Sequence, residues 1–314
     1  MEFLLLSQLI VLLAVSMLAL IKGSDILVSG AKNVGIYFGL NSFLVGVLIV
    51  GLGTSLPELA SSLAAVWQDS TEVVIANVVG SNITNILLVT GILATYGGTL
   101  LIKQDLLKSE LPLFVIATVH FIAVIHNGVI TRPEALLLLG TLGAYFWYLI
   151  KSKDEITQQN KLKAEMSKLK AWSFVLGGSL AVILGAHYTI ASLIDFADLF
   201  NISIGLLSIV IIALGTSLPE LSVSLQALKQ GEADMVIGNI FGSNAFNILL
   251  VASIPALITP IQADYVVMEI GILTLIAASI IFFINGLAKR ITQWEGVMML
   301  LFYGFFLYSL LKFI

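Results

Sequence analysis

Two acidic side chains occupy matching positions in apolar parts of this sequence. The hexapeptide GTSLPE occurs at residues 53–58 and at 215–220, so its copies end on Glu58 and Glu220. A charged side chain at the centre of a membrane helix costs about 2.5–3.5 kcal/mol on insertion scales. Two such residues in a symmetric arrangement therefore require a countercharge. No Lys or Arg lies at comparable depth in the apolar runs, which leaves a bound cation, or protons in its absence.

A proline in each copy interrupts the helix that carries the glutamate. Pro57 has no amide hydrogen, and its ring clashes with the carbonyl group of Gly53. Pro219 has the same relation to Gly215. Backbone carbonyl groups freed at membrane depth are tolerated only where they face protein or a polar cavity. They are also suitable ligands for a hard cation such as calcium.

A second repeated motif supplies further oxygen atoms. It reads NVVGSNITNILL at 77–88 and NIFGSNAFNILL at 239–250. Residues four apart share one face of a helix, and the pairs with this spacing are Ser81 with Asn85, Ser243 with Asn247 and, across the break, Thr54 with Glu58. Calcium takes about six to eight oxygen ligands from such a mixture, whereas magnesium retains water; sodium would use the same carbonyl and hydroxyl groups. With no Cys and no suitably placed His, a soft-metal site is not expected.

The elements that hold these residues must be membrane helices. Of the 314 residues, 59% are hydrophobic and 11% charged, against about 25% charged in soluble domains, and the mean hydropathy is +1.05. Apolar segments of about 20 residues span the hydrocarbon core. The predicted fold is an all-α polytopic membrane protein with ten spans: 3–33, 40–68, 72–95, 107–126, 132–150, 171–198, 203–228, 234–258, 265–286 and 292–312.

The two halves of the chain are predicted to be inverted repeats. GTSLPE recurs at an offset of 215 − 53 = 162, and the second motif recurs at 239 − 77 = 162. Each half has five spans, an odd number, so the second half must cross the membrane in the opposite direction. Secondary transporters with inverted repeats bind substrate near the midplane on interrupted helices. We expect a first repeat at 1–150, a cytoplasmic linker at 151–170 and a second repeat at 171–314.

Charged residues at the loops predict the orientation. Twelve Lys and Arg residues border the loops after the odd-numbered spans, and two border the other side. The excess of positive charge marks the cytoplasmic side, so both termini lie outside. We expect a multi-pass protein of a prokaryotic plasma membrane, the inner membrane.

The paired motifs resemble those of the cation/calcium antiporter superfamily, of the prokaryotic sodium/calcium exchanger type. The resemblance rests on GTSLPE with NVVGSN in one half and GTSLPE with NIFGSN in the other, and it extends over essentially the whole chain. It implies an eight-helix core across which spans 1 and 6 slide. It also implies side-chain ligands at Thr54, Ser55, Glu58, Ser81, Asn85, Thr216, Ser217, Glu220, Ser243 and Asn247, with backbone ligands at Gly51 and Ala213.

The function that the resemblance implies is antiport of sodium against calcium by alternating access. Some relatives carry Asp at the position of Asn247, which is associated with potassium dependence, so potassium-independent, electrogenic exchange is expected here. Calcium and sodium would be transported ions and not cofactors. The expected partners are these ions and the lipid bilayer, with no nucleic acid, and the protein is expected to be a monomer.

Other functions are compatible with some of the same residues. An antiporter of calcium, or of another divalent cation, against protons is the main alternative, although Gly-Ser-Asn in the second motif disfavours it. A channel could use Glu58 and Glu220 as a filter, but inverted halves in one chain favour a carrier. An intramembrane hydrolase could use Ser55 or Ser217, but no His or Lys base lies at their depth. The chain is therefore not expected to be an enzyme.

Overall fold

The protein is built mainly from helices. The computed structural model describes residues 2–67, 69–102, 110–156, 164–199 and 217–313. The helices of the first half are α1 (Glu2–Phe38), α2 (Ser42–Val45), α3 (Leu52–Thr54), α4 (Leu56–Trp67), α5 (Glu72–Ile83), α6 (Thr90–Gly97), α7 (Glu110–Ile125) and α8 (Arg132–Ile156). Those of the second half are α9 (Lys168–Leu199), α10 (Leu218–Lys229), α11 (Ala233–Phe246), α12 (Ser253–Ile258), α13 (Ile272–Ala288) and α14 (Gln293–Leu310), followed by a 3-10 turn (Leu311–Phe313).

Four segments within these helices are π-helical, and four short strands connect helices. The π segments are π1 (Gly46–Gly51), π2 (Thr84–Val89), π3 (Asn247–Val251) and π4 (Val267–Gly271). The strands are β1 (Leu100–Leu101), β2 (Val129–Ile130), β3 (Ile261–Gln262) and β4 (Arg290–Ile291). Because a π segment shifts the hydrogen-bond register by one residue, it re-aims the side chains of its helix, and such segments are frequent at functional sites.

Several helical segments are suited to a bilayer. Among the described residues, six are long and apolar enough to cross a membrane: Leu6–Phe38, Ser42–Trp67, Glu72–Gly97, Lys168–Thr189, Ala233–Ile258 and Val267–Ala288. Glu110–Ile125 is a shorter apolar helix. Helices coincide with nine of the ten spans expected from the sequence, while the span 203–228 is described only from residue 217.

The linker between the halves is helical at both ends. The α8 helix continues to Ile156, and α9 begins at Lys168, so both helices extend into the predicted linker 151–170. Lys, Glu and Gln are good helix formers and dominate this polar stretch. Residues 157–163 lie outside the described ranges.

The centre of the protein is formed by the two segments that carry the second motif. In the segment Glu72–Gly97, 78% of the most apolar stretch is buried inside the protein, and in Ala233–Ile258 the fraction is 83%. The corresponding fraction for Leu6–Phe38 is 28%. Aromatic rings fill the space beside the second of these segments, where Phe241 lies 5.6 Å from Phe114 and 4.7 Å from Phe282, between ring centroids. The polar motif residues therefore lie in the interior and not on the lipid-facing surface.

Helices α1 and α9 form a closely packed antiparallel pair. A Cβ atom on Gly178 would lie 2.6 Å from the backbone nitrogen of Leu27, and one on Gly185 would lie 2.5 Å from that of Leu20. Higher numbers in α9 therefore meet lower numbers in α1, which defines the antiparallel direction. Small residues at membrane helix interfaces let backbones approach closely. Away from this interface, the pair exposes large apolar side chains such as Val15 and Leu180.

The short strands join the first half of the chain to the second. Strand β1 pairs with β4 and β2 pairs with β3, both antiparallel. The register places Leu100 opposite Ile291 and Ile130 opposite Ile261. The differences 261 − 100 and 291 − 130 are both 161. The repeat therefore relates β1 to β3 and β2 to β4, and it maps one strand pair onto the other. Each half thus contributes one strand to each pair.

The final helices of the two halves begin in the same way. The backbone N–H and the hydroxyl of Thr131 donate to the Glu134 carboxylate at 2.8 and 2.6 Å. Thr292 donates in the same way to Glu295 at 2.6 and 2.8 Å, and this pair completes a capping box. A reciprocal Thr/Glu arrangement satisfies free N–H groups at a helix N-terminus. This accounts for the similarity of TRPE and TQWE in the sequence.

The α1–α9 contact gives a stability prediction. Gly178→Ala forces the two backbones apart and should lower the melting temperature of the detergent-purified protein, because overpacking costs about 1–3 kcal/mol. Gly177→Ala is the matched control, since a Cβ atom on Gly177 meets no atom within 4 Å. The control should be neutral or slightly stabilising, as Ala is a better helix former than Gly. Equal melting temperatures for the two variants would contradict the described packing.

Candidate cation site

Both glutamates of the repeated hexapeptide lie near the start of a helix, and in the first half a break precedes that helix. Helix α3 ends at Thr54, Ser55 forms a turn with φ −84° and ψ −1°, and α4 begins at Leu56. In the second half, Ser217 precedes α10 with φ −101° and ψ 5°. Glu58 and Glu220 are consequently in the first turns of α4 and α10. The positive end of a helix dipole lies there, which favours a carboxylate.

The two carboxylates are buried and close to each other. Glu58 is 0% exposed and Glu220 is 1% exposed. They lie near enough to interact electrostatically. The ion pair found within the described residues joins Lys32 to Glu232 at 2.6 Å, and it involves neither buried glutamate. Two like charges without a cationic side chain form a site that attracts a positive ion.

A set of buried oxygen atoms surrounds these charges without hydrogen-bond partners. Within the described ranges, the unpartnered oxygens of the predicted site are Ser55 Oγ, Glu58 Oε1 and Oε2, Asn85 Oδ1, Ser217 Oγ, Glu220 Oε1 and Oε2, and Asn247 Oδ1. Leaving a buried polar group unsatisfied costs about 1–3 kcal/mol, and more for a charged group. Calcium is coordinated by about six to eight oxygens of these kinds. The donor set therefore fits a hard cation.

Helix packing brings the two halves together around this set. Helix α4, with Glu58, packs against π3, which begins at Asn247. Helix α10, with Glu220, packs against π2, which contains Asn85. Each glutamate helix thus contacts the asparagine-bearing segment of the opposite half. A cation held here would be bound by both halves at once.

Glycines allow a closer contact between π1 and α11. A Cβ atom on Gly51 would lie 3.1 Å from the backbone nitrogen of Ser243, and one on Gly242 would lie 2.8 Å from the carbonyl oxygen of Val47. The hydroxyl of Thr54 consequently lies 3.2 Å from that of Ser243. Both hydroxyls also approach the carbonyl oxygen of Gly51, at 3.3 and 3.4 Å.

Of the twelve residues predicted to bind cations, ten are described and two are not. Ala213 and Thr216 lie outside the described residues. The buried residues among the ten are Thr54, Ser55, Glu58, Ser81, Asn85, Ser217, Glu220, Ser243 and Asn247, and Gly51 joins them through its carbonyl contacts. The arrangement is an oxygen-lined, negatively charged site on interrupted helices.

Two further polar residues adjoin the site and were missed by the sequence analysis. Asn77 and Asn239 are 7% and 1% exposed, and they accept hydrogen bonds from Ser81 and Ser243. Both are the first residue of the second motif, at the same 162-residue offset. Their position in the repeat was the available signal. They also lie four residues before Ser81 and Ser243, the spacing that was used for Asn85 and Asn247 on the other side of each serine.

Apolar helices around a buried oxygen-lined site with two carboxylates define a membrane transporter of cations. The chain belongs to the sodium/calcium exchanger family, because the model of the sodium/calcium exchanger protein family matches residues 8–151 and 170–312. It is therefore a multi-pass membrane protein and a cation/calcium antiporter, and not an enzyme.

Individual relatives cover nearly the whole chain. The inner membrane protein YrbG of Escherichia coli is 31% identical over 94% of this chain and 93% of its own length. The sodium/calcium exchanger MaX1 of Methanosarcina acetivorans is 31% identical over 94% of this chain and 96% of its own. A solved structure of the sodium-calcium exchanger NCX_Mj, soaked with 2.5 mM Na+ and 0.1 mM Ca2+, matches with a TM-score of 0.81 and 26% identity, over 96% of this chain and 98% of the other.

The buried charges give a prediction for calcium transport. Glu58→Gln and Glu220→Gln should each abolish calcium exchange, because each removes half of the fixed charge of the site. The measurement is calcium flux in vesicles matched for protein content. Glu72→Gln, at the exposed start of α5, is the control and should retain flux. Robust calcium flux in either buried-site variant would show that the site is elsewhere.

Proposed function

We propose that this protein exchanges sodium for calcium across a prokaryotic inner membrane, by alternating access to one site. The observation that carries the proposal is the set of unpartnered buried oxygens from both halves around two carboxylates. Two formal negative charges balance one calcium ion. Sodium uses the same carbonyl and hydroxyl oxygens, so the two ions can compete for one site. The printed names of MaX1 and NCX_Mj support the choice of sodium as the coupling ion.

The site proposed for these ions comprises the twelve residues expected from the sequence. Glu58 and Glu220 hold the charge, Asn85 and Asn247 contribute amide oxygens, and Thr54 approaches the opposite half through Ser243. The remaining contributors are Ser55, Ser81, Ser217 and Thr216 through hydroxyl groups, and Gly51 and Ala213 through backbone oxygens. The approach of the Thr54 and Ser243 hydroxyls to the Gly51 carbonyl oxygen supports the backbone assignment in the first half.

The architecture proposed to present this site is a pair of inverted five-helix repeats with ten crossings. Three observations support it: the common offset of two motifs, the matching capped starts of α8 and α14, and the exchange of strands between halves. The predicted topology places β1 and β4 in cytoplasmic loops and β2 and β3 in outside loops. Each strand pair thus joins two loops that the predicted topology assigns to the same side of the membrane, as expected for inverted repeats.

Alternating access is proposed to arise from movement of α1 and α9 across the other helices. The contact between α1 and α9 is extensive and glycine-lined. The contacts of α1 with the α10 region include three polar ones: Ser24 Oγ lies 2.8 Å from Ser222 Oγ, Asp25 accepts from Gln230 at 2.8 Å, and Lys32 pairs with Glu232. Hydrogen bonds and partly exposed ion pairs each contribute little net stability, so these contacts can break and reform during sliding.

Electrogenic and potassium-independent exchange is proposed from the charge of the site. The carboxylates of the proposed site are Glu58 and Glu220, while the second motif contributes the neutral amides Asn85 and Asn247. If the sodium ions that enter carry more positive charge than the calcium ion that leaves, each exchange cycle moves net charge across the membrane. Potassium would need further negative charge. The protein is proposed to act as a monomer, because one chain supplies both halves of the site, and with both termini outside.

Flux measurements in proteoliposomes test this function. Calcium uptake should follow an imposed sodium gradient, change with membrane potential and be indifferent to potassium. Acidic pH should weaken the apparent calcium affinity, because protons compete for the same carboxylates. Uptake that follows only a pH gradient would establish the calcium/proton alternative instead. Uptake that neither saturates nor requires a counter-ion would indicate a channel.

A disulfide tests the proposed sliding. The chain has no native cysteine, and the hydroxyl oxygens of Ser24 and Ser222 are 2.8 Å apart. The double variant Ser24→Cys/Ser222→Cys should form a bond that joins α1 to α10, since disulfides need Cβ atoms about 3.5–4.5 Å apart. Oxidation should stop calcium exchange and reduction should restore it. Each single cysteine variant serves as a control, and full transport by cross-linked protein would contradict sliding at this contact.

A further inference from the structure

Two asparagine side chains hold equivalent positions behind the proposed cation site. Asn77 Nδ2 donates to Ser62 Oγ at 3.0 Å and to the Glu58 carbonyl oxygen at 3.1 Å. Asn239 Nδ2 donates to Ser224 Oγ at 2.9 Å. Ser62 and Ser224 are separated by the same 162 residues as the asparagines. Each amide therefore connects a motif helix to its own glutamate-bearing helix, α5 to α4 and α11 to α10.

The direction of the Asn77 amide is fixed by the backbone carbonyl group that accepts from it, and Asn239 has the equivalent direction. A backbone carbonyl oxygen can only accept hydrogen bonds, so the group of Asn77 that faces the Glu58 carbonyl must be its NH2 group. The Oδ1 atom then points the other way, where it lies 3.3 Å from Ser81 Oγ. Asn239 Oδ1 similarly lies 3.4 Å from Ser243 Oγ and 3.3 Å from Thr54 Oγ1. Both oxygens are thus presented to hydroxyl groups of the site.

The hydrogen-bond acceptor of a hydroxyl group determines whether the hydroxyl oxygen can turn its lone pairs towards a cation. A serine hydroxyl has one hydrogen and two lone pairs. When its hydrogen is donated to an asparagine oxygen, the lone pairs are left for the ion, whereas a hydrogen directed at the ion would repel it. Around Asn239, the Gly51 carbonyl is a further acceptor for Thr54 and Ser243, and the Glu220 carboxylate is one for Thr54. Once a cation occupies that carbonyl, Asn239 Oδ1 still accepts from both hydroxyls.

We propose that Asn77 and Asn239 are positioning residues, which orient the hydroxyl groups of Ser81, Ser243 and Thr54 so that their lone pairs face the transported cation. This inference rests on the proposed site and extends it to two residues that bind no ion themselves. Because the same amides bond to the glutamate-bearing helices, they also keep each serine at a constant position relative to its carboxylate.

A double-mutant cycle on calcium transport tests the assignment. Asn77→Ala should weaken the apparent calcium affinity about tenfold, as expected for loss of one buried hydrogen bond that orients a ligand. Ser81→Ala should have a similar or larger effect. The double variant should be no weaker than Ser81→Ala alone, because Asn77 acts through that hydroxyl. Interacting residues show such non-additivity, whereas independent ones add. The KM for calcium should change more than the maximal rate.

The control is Asn285→Ala, which truncates a buried asparagine whose side chain contacts Met299 on the α13–α14 side of the protein. It should leave the calcium affinity unchanged. If Asn77→Ala does not fold, the cycle of Asn239→Ala with Ser243→Ala provides the same test in the other half. Losses that add in the cycle, or an unchanged affinity in the asparagine variant, would overturn the positioning role. Absence of calcium transport by the wild type would instead reject the proposed function, so the two failures are distinguishable.

Discussion

The structure depends on two carboxylates that are buried beside each other without a cationic side chain. Within the described residues, the carboxylate oxygens of Glu58 and Glu220 form no ion pair and no hydrogen bond of normal geometry. Such a pair is unfavourable in a medium of low dielectric constant unless a positive ion neutralises it. The surrounding amide and hydroxyl oxygens, the helix N-termini and the breaks before them all reduce that cost when a cation is present. The cation of the proposed function would therefore neutralise the charge that the architecture buries.

The pairing of the two halves follows from the same requirement. One half supplies one carboxylate and one asparagine, which is insufficient for calcium. Because α4 packs on π3 and α10 packs on π2, each half completes the other. Strand pairs β1–β4 and β2–β3 join the halves at two places, and the glycine-lined contact of π1 with α11 holds the motifs close. These contacts favour a rigid centre, whereas the contact of α1 with the α10 region includes polar groups that can exchange partners.

Much of this was predictable because membrane helices leave strong signals in a sequence. Apolar length locates the helices, proline locates the break at Ser55 and the helix start after Ser217, and the 162-residue offset identifies equivalent residues. The sequence did not predict the π segments, because no residue type marks a one-residue shift in hydrogen bonding. Nor did it predict that α8 would continue to Ile156, since a polar lysine-rich stretch is compatible with either helix or loop.

By itself the sequence determined the residue types of the site, their duplication and the membrane setting, because these depend on local spacing and hydrophobicity. The tertiary structure decided which half faces which, through contacts such as Thr54 with Ser243 that lie 189 residues apart. It also decided the role of Asn77 and Asn239. A side-chain amide has no local preference for one partner, and its direction is set only when the neighbouring helix brings Ser62 or Ser224 within hydrogen-bonding distance.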